Sequence, residues 1–234
     1  MNRSHSTHST RRHPDNHNLR IYDGDTYQGL PLVPGNGPYI ADYLERILQT
    51  IRQSRATHPY GIAFRVDLRL PVGFDWQQPS SRPLFSRFID SLRAKKDSRI
   101  KRTVREHKRA YESAVQYIWA REFESEDHPH IHCLLFFNQK TFRGLGPLDP
   151  YGNNLYAMIC QAWAQALGVD ISVAARLVYI PENPVYPLKP GFPFDELFMR
   201  ASYMAKARSK RFGYGMHSFG ASRSGGSRNL LQAG

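Results

Sequence analysis

The feature that most constrains the fold is a pair of neighbouring segments in which apolar and polar residues alternate. The segments are AVQYIWAREFE (114–124) and HPHIHCLLFF (128–137), and a short acidic turn joins them. Alternation with a period of two is typical of β-strands, and so short a connection favours an antiparallel hairpin. We therefore expect a chain built around an antiparallel sheet.

The segments on either side of this hairpin complete a known order of elements. Strand-like alternation recurs in GIAFRVDLRLP (61–71) and ARLVYIP (175–181), and amphipathic patterns predict helices over 82–109 and 153–167. Gly168 is expected to end the second of these helices. The order β-α-β-β-α-β predicts a ferredoxin-like α+β fold, with helices on one face of the sheet and the other face free for a site.

Two further helices are predicted outside this unit. Residues 38–56 carry apolar side chains three and four positions apart, and so does FDELFMRASYMAKARSK (194–210) near the C-terminus. We place the main domain at 38–222. Residues 1–37 are predicted to be a basic arm and linker: the arm, up to about residue 20, is expected to be disordered because it has almost no apolar side chain to bury, and 21–37 is rich in Gly and Pro. Residues 223–234 are predicted to be a flexible tail.

The overall charge of the chain indicates its kind of partner. With 32 Lys and Arg against 20 Asp and Glu, the formal net charge is +12, which favours nucleic acid. No stretch of about 18 apolar residues and no signal-like N-terminus is present, so we expect no membrane partner. Cys133 and Cys160 lack metal-binding spacing and are expected to be buried, reduced thiols of a cytoplasmic protein.

A candidate metal site follows from the alternation in the hairpin. His128, His130 and His132 share one face of the second strand, and Glu122 and Glu124 join them if even positions pair with even positions, for instance 122 with 132 and 124 with 130. Two imidazoles and one carboxylate suit a divalent cation that keeps open positions. A solvated polar sheet face is the alternative, and the register alone does not choose between the two glutamates.

A candidate nucleophile lies in the last predicted helix. Helical spacing would place the phenol of Tyr203 on one stripe with three basic side chains. Cations beside a phenol favour its ionised form, which is the nucleophile, and they also attract a phosphate. Tyr214, in a Gly-rich loop, is the nearby competitor, and an ordinary tyrosine on an amphipathic helix is the alternative interpretation. The stripe consists of Arg200, Tyr203, Lys206 and Lys210.

The two candidate motifs resemble those of a known superfamily. His130-Ile131-His132 resembles the metal-binding motif of the HUH endonucleases, and Tyr203-Met204-Ala205-Lys206 resembles their single-tyrosine YxxK motif. From about Tyr60 to Arg223 the chain is similar to the inovirus-type replication proteins, also described as the YagK/YfjJ C-terminal domain family. The histidines precede the tyrosine, as in replication initiators and single-strand transposases and unlike conjugative relaxases. The first strand lacks the Thr-rich character of the superfamily, so no role is assigned to its residues.

The resemblance implies an enzyme that initiates rolling-circle replication. It would nick single-stranded DNA at an origin through a 5′-phosphotyrosine on Tyr203, assisted by Lys206, and rejoin strands afterwards. It implies Mg²⁺ or Mn²⁺ held by His130, His132 and Glu122, with His128 outside the ligand set. A host helicase and the replication machinery in a bacterial cytoplasm would be its partners. The alternatives are a single-strand transposase and a non-catalytic DNA-binding regulator on the same fold.

Two basic runs indicate where DNA would be held. Residues 87–109 contain ten Lys or Arg against three acidic residues, and 200–228 contain seven and none. Cations of this kind bind the phosphate backbone. The residues expected to contact DNA are Lys101, Arg102, Arg105, Arg200, Lys210 and Arg211.

Overall fold

The computed structural model describes residues 11–76, 78–81, 83–123, 129–212 and 215–222. Within them the chain has a mixed α/β fold with antiparallel sheets. The helices are α1 (Ala41–Thr57), α2 (Leu84–Arg105), α3 (Leu155–Leu167), α4 (Ile171–Leu177) and α5 (Asp195–Ser202). The strands are β1 (Arg12–His13), β2 (Asn16–Tyr22), β3 (Thr26–Tyr27), β4 (Leu30–Pro31), β5 (Tyr39–Ile40), β6 (Gly61–Arg69), β7 (Gln116–Phe123), β8 (Pro129–Asn138), β9 (Val178–Tyr179), β10 (Val185–Leu188) and β11 (Phe219–Ala221).

The central sheet contains the predicted hairpin. Its order is β10, β6, β8, β7, β11, and each neighbouring pair is antiparallel. The pairing of β7 with β8 confirms the hairpin predicted from 114–137. Strand β9 pairs with Asp67 and Leu68, and β10 pairs with the beginning of β6, so the two short strands follow one another along the same edge.

Both faces of this sheet are covered, which corrects the expectation of a free face. Helices α2, α3 and α4 pack on the face that carries Phe64 and Leu135. Helices α1 and α5 pack on the other face, over Leu134 and Phe136. Those two side chains lie on the same face of β8 as the histidines, and apolar residues of this size need cover. The candidate site therefore lies between the sheet and the helices that cover it, rather than on an open sheet face.

Helix ends agree with the sequence where capping residues are present. Asn154 accepts a hydrogen bond from the Ala157 backbone N–H at the start of α3, and Gly168 ends that helix with φ 72°. The strand predicted over 175–181 is wrong for most of its length, because Asp170 caps a short helix that runs to Leu177. Strand β10 lies in the Pro-rich segment between β9 and α5, with Pro187 at a sheet edge, where proline is tolerated.

The last helix is shorter than predicted, and this changes the geometry of the YxxK segment. Helix α5 ends at Ser202, residues 203–205 form one 3₁₀ turn, and Lys206 is extended with ψ 134°. Tertiary contacts explain why the helix ends here. Ala207 donates its backbone N–H to the Pro38 carbonyl at 2.8 Å, and the backbones of Lys206 and Tyr39 form an antiparallel β-bridge. The predicted single helical stripe through Arg200, Tyr203, Lys206 and Lys210 is therefore wrong.

The N-terminal segment is ordered over the part that the structure describes. Strands β1, β2 and β5 form a small sheet, so the disorder predicted for the arm up to about residue 20 is wrong from residue 11 onward. Ile21 packs against Ile40 and Ala207, with Leu19 and Phe212 beside them, which gives the arm an apolar contact. Residues 1–10 and the predicted tail at 223–234 lie outside the described residues.

Two expectations about the chain's environment can be compared with the structure. Cys133 and Cys160 are buried and form no disulfide, as predicted. Among the described residues no single helix is long and apolar enough to cross a membrane. Helices α3 and α4, bent by 108° from each other, reach that length and apolarity only when taken together.

Candidate metal and tyrosine site

The registers of β6, β8 and β7 bring acidic residues and histidines together. Glu122 pairs with His130 across β7 and β8, and Ala120 pairs with His132. The prediction that even-numbered positions pair with even-numbered positions is confirmed. The suggested pairing of 122 with 132 is wrong by two residues, because 122 pairs with 130. On the other side of β8, Asp67 pairs with His132. Side chains of directly paired residues lie on the same face, so three strands contribute to one site.

The two histidines converge on one point. Their Nε2 atoms are 2.9 Å apart, and the ligand atoms of Glu122, His130 and His132 all lie within 4.8 Å of one another. One ring can donate a hydrogen bond to the other at this distance. The distance also fits two nitrogens on one ion, since bonds of about 2.1 Å at a right angle leave them about 3.0 Å apart. The cluster can therefore accept a divalent cation, while Glu124 and His128 lie outside the described residues.

Glu122 is the most enclosed member of the cluster. It is 1% exposed, and its two oxygens contact different lysines: Lys206 Nζ at 2.7 Å from Oε2 and Lys210 Nζ at 2.8 Å from Oε1. Oε2 is also 3.7 Å from Nε2 of His132. Burial alone would raise the pKa of this carboxyl, but the neighbouring cations outweigh burial and lower it. Glu122 is thus ionised, with Oε2 facing both Lys206 and the imidazoles.

Asp67 belongs to the site although no role was assigned to it from the sequence. Its Oδ1 is 2.7 Å from Nδ1 of His132, and neither atom has a well-directed hydrogen bond elsewhere among the described residues. Burial would raise the pKa of Asp67, but the contact with His132 and the charge of Arg65 lower it. A carboxylate at Nδ1 orients the ring so that Nε2 faces the cluster. The sequence of β6 already indicated this position, because Arg65 and Asp67 alternate with apolar residues and so lie on the opposite face of the strand.

The tyrosine stands beside this cluster. The ring of Tyr203 is half-buried and meets the ring of His132 edge to face, with centroids 5.5 Å apart. Lys206 Nζ lies 3.6 Å from the Tyr203 ring centroid, and the Arg65 guanidinium lies 5.8 Å from it on β6. The structure therefore brings together the predicted residues Tyr203, Lys206, His130, His132 and Glu122.

Comparison with known proteins places the chain in a family. The family model described as YagK/YfjJ C-terminal domain matches residues 22–222. The chain belongs to that family. The match begins at Tyr22, well before Tyr60, so β3, β4, β5 and α1 are part of the family domain.

Two relatives from Escherichia coli (strain K12) match most of the chain. The chain is 34% identical over 200 residues to the uncharacterized protein YfjJ, an alignment that covers 80% of this chain and 96% of YfjJ. It is 35% identical over 208 residues to the uncharacterized protein YagK, covering 84% and 97% respectively. No solved structure matches the chain.

In this YagK/YfjJ-type domain the predicted DNA-binding residues do not form one surface. Lys101, Arg102 and Arg105 are exposed on α2, in the layer on the far side of the sheet from Tyr203. Arg200 and Arg211 are half-buried near the site's own layer, with Arg211 over the ring of Phe123. Lys210 was predicted to contact DNA, but its side chain is 0% exposed. Its ammonium is paired with Glu122 inside the site, so Lys210 does not lie on the surface with the other predicted DNA contacts.

Replacing Asp67 tests its role behind His132. We expect Asp67→Asn to weaken Mn²⁺ binding about 10- to 100-fold, because the amide keeps the volume but removes the charge that orients the imidazole. Isothermal titration of the purified protein measures this. Asp90→Asn, at an exposed position on α2, is the matched control and should bind like wild type. Unchanged affinity in Asp67→Asn would show that Asp67 has no influence on the ligand set.

Removing His130 tests the cluster with little damage to the fold. His130 is half-buried, whereas His132 is buried against Asp67, so alanine at 130 is the cleaner change. We expect His130→Ala to lose Mn²⁺ affinity by about 100-fold or more, since a direct ligand matters more than an outer partner. His17→Ala, exposed on β2, is the control. If His130→Ala bound Mn²⁺ as tightly as wild type, the ion would not be bound by this cluster.

Proposed function

We propose that this protein is a metal-dependent single-stranded DNA endonuclease and strand transferase that initiates rolling-circle replication. The observation that carries the proposal is the contact between Tyr203 and His132 at the edge of a three-ligand cluster. A hydroxyl beside a cation that polarises a phosphate is what attack on a phosphodiester requires. Cations near the tyrosine, on Lys206 and Arg65, suit the negative charge of such a substrate.

The strand order supports a ferredoxin-like topology for this domain. In the sheet β8 separates β6 from β7, and the edge next to β6 is filled by β9 and β10. Helix α2 connects β6 to β7, and α3 and α4 connect β8 to β9. This is the arrangement of a split β-α-β pair. It supports the fold implied by the HUH resemblance, with the histidines on the central strand β8.

The ligand set favours one of the two expected ions. Two imidazole nitrogens and one carboxylate oxygen suit Mn²⁺ better than Mg²⁺, which prefers oxygen ligands. A divalent ion held there by His130, His132 and Glu122 would polarise the scissile phosphate and offset its developing charge. Oε2 of Glu122 faces both the imidazoles and Lys206, so Lys206 would have to release this oxygen for Glu122 to hold the ion, and its ammonium would then be free to meet the substrate phosphate.

The proposed step is a transesterification, in which one phosphate ester bond replaces another. The Tyr203 oxygen forms a bond to phosphorus, and the bond from phosphorus to the 3′ oxygen breaks. The phenol proton passes to solvent and the 3′ oxygen takes one up, which leaves a 5′-phosphotyrosine and a free 3′-hydroxyl. The reverse attack by a 3′-hydroxyl rejoins a strand without a nucleotide cofactor, because the phosphodiester energy is kept in the covalent link.

One observation favours a non-catalytic alternative. Glu122 with Lys206 and Lys210 is a buried ion-pair group that can serve the fold alone, and such a domain would bind DNA without cutting it. A single-strand transposase would use the same chemistry as the proposed enzyme and differ only in its substrate, a hairpin at an element end.

Covalent capture of DNA tests the proposal. Wild-type protein, Mn²⁺ and a pool of 5′- and 3′-labelled single-stranded oligonucleotides that cover the neighbouring genomic region should give an adduct that survives denaturing electrophoresis. The adduct should carry the label of the fragment downstream of the nick. Absence of any adduct across the pool, with DNA binding intact, would favour the non-catalytic regulator. An adduct formed only on hairpins from element ends would favour the transposase.

A further inference from the structure

We propose that the face formed by α2 and α3 carries a second nucleic-acid site, which binds the phosphate backbone of duplex DNA. Five cations define this basic face: Lys95, Arg99, Arg102, Lys140 and Arg143. Helices α2 and α3 cover one face of the central sheet, whereas α5 and Tyr203 lie on the other. The proposal rests on the proposed function for the nature of the polyanion, and it assigns a second DNA segment to a separate surface.

Two adjoining cavities give the basic face its shape. One of about 350 Å³ lies between α2 and the segment after β8, and one of about 380 Å³ lies between α2 and α3. Arg99 lines both, so the two cavities adjoin at this side chain, and together they are called the groove below. No acidic side chain among the described residues lines either cavity, although the Asp149 carboxylate lies beside Gly152 of the second one. Five cations against this one neighbouring carboxylate leave the groove with an excess of positive charge.

Two arginines of this groove are held in place before any ligand arrives. Arg99 donates to the Asn153 carbonyl at 2.6 Å, and Arg102 donates to the Asn153 side-chain oxygen at 2.7 Å. Burial and the neighbouring Arg102 lower the pKa of Arg99. Two guanidinium groups gathered on one residue repel each other, and a bound phosphate would relieve that repulsion. Each guanidinium has five N–H donors, and Asn153 accepts a hydrogen bond from one N–H of each arginine. The remaining N–H donors can bind a phosphate.

The chemistry of the lining favours a duplex over a single strand. Proteins that hold single strands offer exposed aromatic rings on which bases stack. The aromatic ring that lines these cavities is Phe142, which is only 3% exposed. The other polar groups of the lining are amides and hydroxyls, which contact phosphates and sugars and do not depend on unstacked bases. Lys101 and Arg105 extend the same exposed charge along α2.

Charge reversal at two exposed positions tests the proposal. The variant Arg102→Glu/Arg143→Glu is compared with wild type by fluorescence anisotropy on a labelled duplex of about 20 base pairs, between about 50 and 200 mM salt. We expect duplex affinity to fall by about tenfold or more at the lower salt. We also expect the slope of log K against log salt to decrease by about two, close to one for each lost phosphate contact.

A matched control separates this face from net charge. Arg52→Glu/Lys189→Glu changes the charge by the same amount at exposed positions on α1 and after β10. It should keep the wild-type slope. An equal loss in this control would overturn the proposal, and so would a wild-type slope in the first variant. If charge reversal prevents folding, Arg102→Gln/Arg143→Gln replaces it, with an expected slope decrease of the same size.

Two further measurements keep the outcomes distinct. Anisotropy needs no cleavage, so a wild-type protein that forms no adduct but binds duplex through this face refutes the proposed nuclease and supports the second site. Adduct formation on a short single strand is measured with Arg143→Glu alone and should be retained, because Arg143 is exposed in the groove and has no part in the proposed nicking site. Vesicles containing anionic lipid test the other polyanion. If the variant loses vesicle binding and keeps duplex binding, the face recognises a membrane and the proposal is wrong.

Discussion

A Tyr203→Phe protein should form no covalent adduct with single-stranded DNA under conditions in which the wild type does. Phenylalanine keeps the ring that packs against His132 and Lys206, so only the hydroxyl is lost. Without a nucleophilic oxygen the proposed transesterification has no first step, and the expected loss is complete rather than partial. Denaturing electrophoresis of the labelled reaction, followed by peptide mapping of the wild-type adduct, measures it.

A second tyrosine provides the control for this experiment. Tyr179 is 47% exposed and pairs with Asp67 across β6 and β9, so it lies next to the same site, and the Arg69 guanidinium packs over its ring. Tyr179→Phe should form the adduct like wild type. Equal Mn²⁺ affinity in wild type and Tyr203→Phe shows that the cluster is intact. An adduct that maps to Tyr214 or persists in Tyr203→Phe would mean that the nucleophile has been misassigned.

Glu122→Ala should destabilise the folded protein by about 3–5 kcal/mol, measured by urea unfolding in the presence of a chelator. The carboxylate separates two buried ammonium groups, on Lys206 and Lys210. Removing one member of a buried ion pair leaves an uncompensated charge, and the penalty is of this size. Burial already lowers the pKa of Lys210 to about 8 with its partner present, so the ammonium is poorly solvated even in the wild type.

A compensating change tests whether the penalty comes from the stranded lysine. Glu122→Ala/Lys210→Met replaces that ammonium with an apolar side chain of similar length, and should recover at least about 1 kcal/mol relative to Glu122→Ala. Glu106→Ala is the surface control, because Glu106 pairs with Lys108 in solvent and its removal should cause no measurable change. If Glu122→Ala were as stable as Glu106→Ala, the buried ion-pair description of the site would be wrong.

Local patterns predicted the central strands because their periodicity is a property of neighbouring residues. The alternation in 114–137 predicted β7, β8 and the parity that places Glu122 with His130. The same rule applied to β6 already separates Arg65 and Asp67 from the apolar face, although their partners could not be read from that strand alone. Capping residues, such as Asn154 and Gly168 at the two ends of α3, acted in the same local way.

Contacts between distant segments decided what the patterns did not. The helical pattern of 194–210 continues past Tyr203, yet the chain leaves the helix because residues 206–207 bond to the Pro38–Tyr39 segment. That turn directs Lys206 and Lys210 toward Glu122 rather than toward solvent. Similarly, α1 and α5 cover the sheet face that was predicted to be free, because Leu134 and Phe136 need apolar partners. The sequence by itself determined the central strands β6, β7 and β8, the sign of the charge and the side chains of the candidate cluster. Only the tertiary structure determined which charges meet and which remain in water, because burial and pairing depend on segments far apart in the chain.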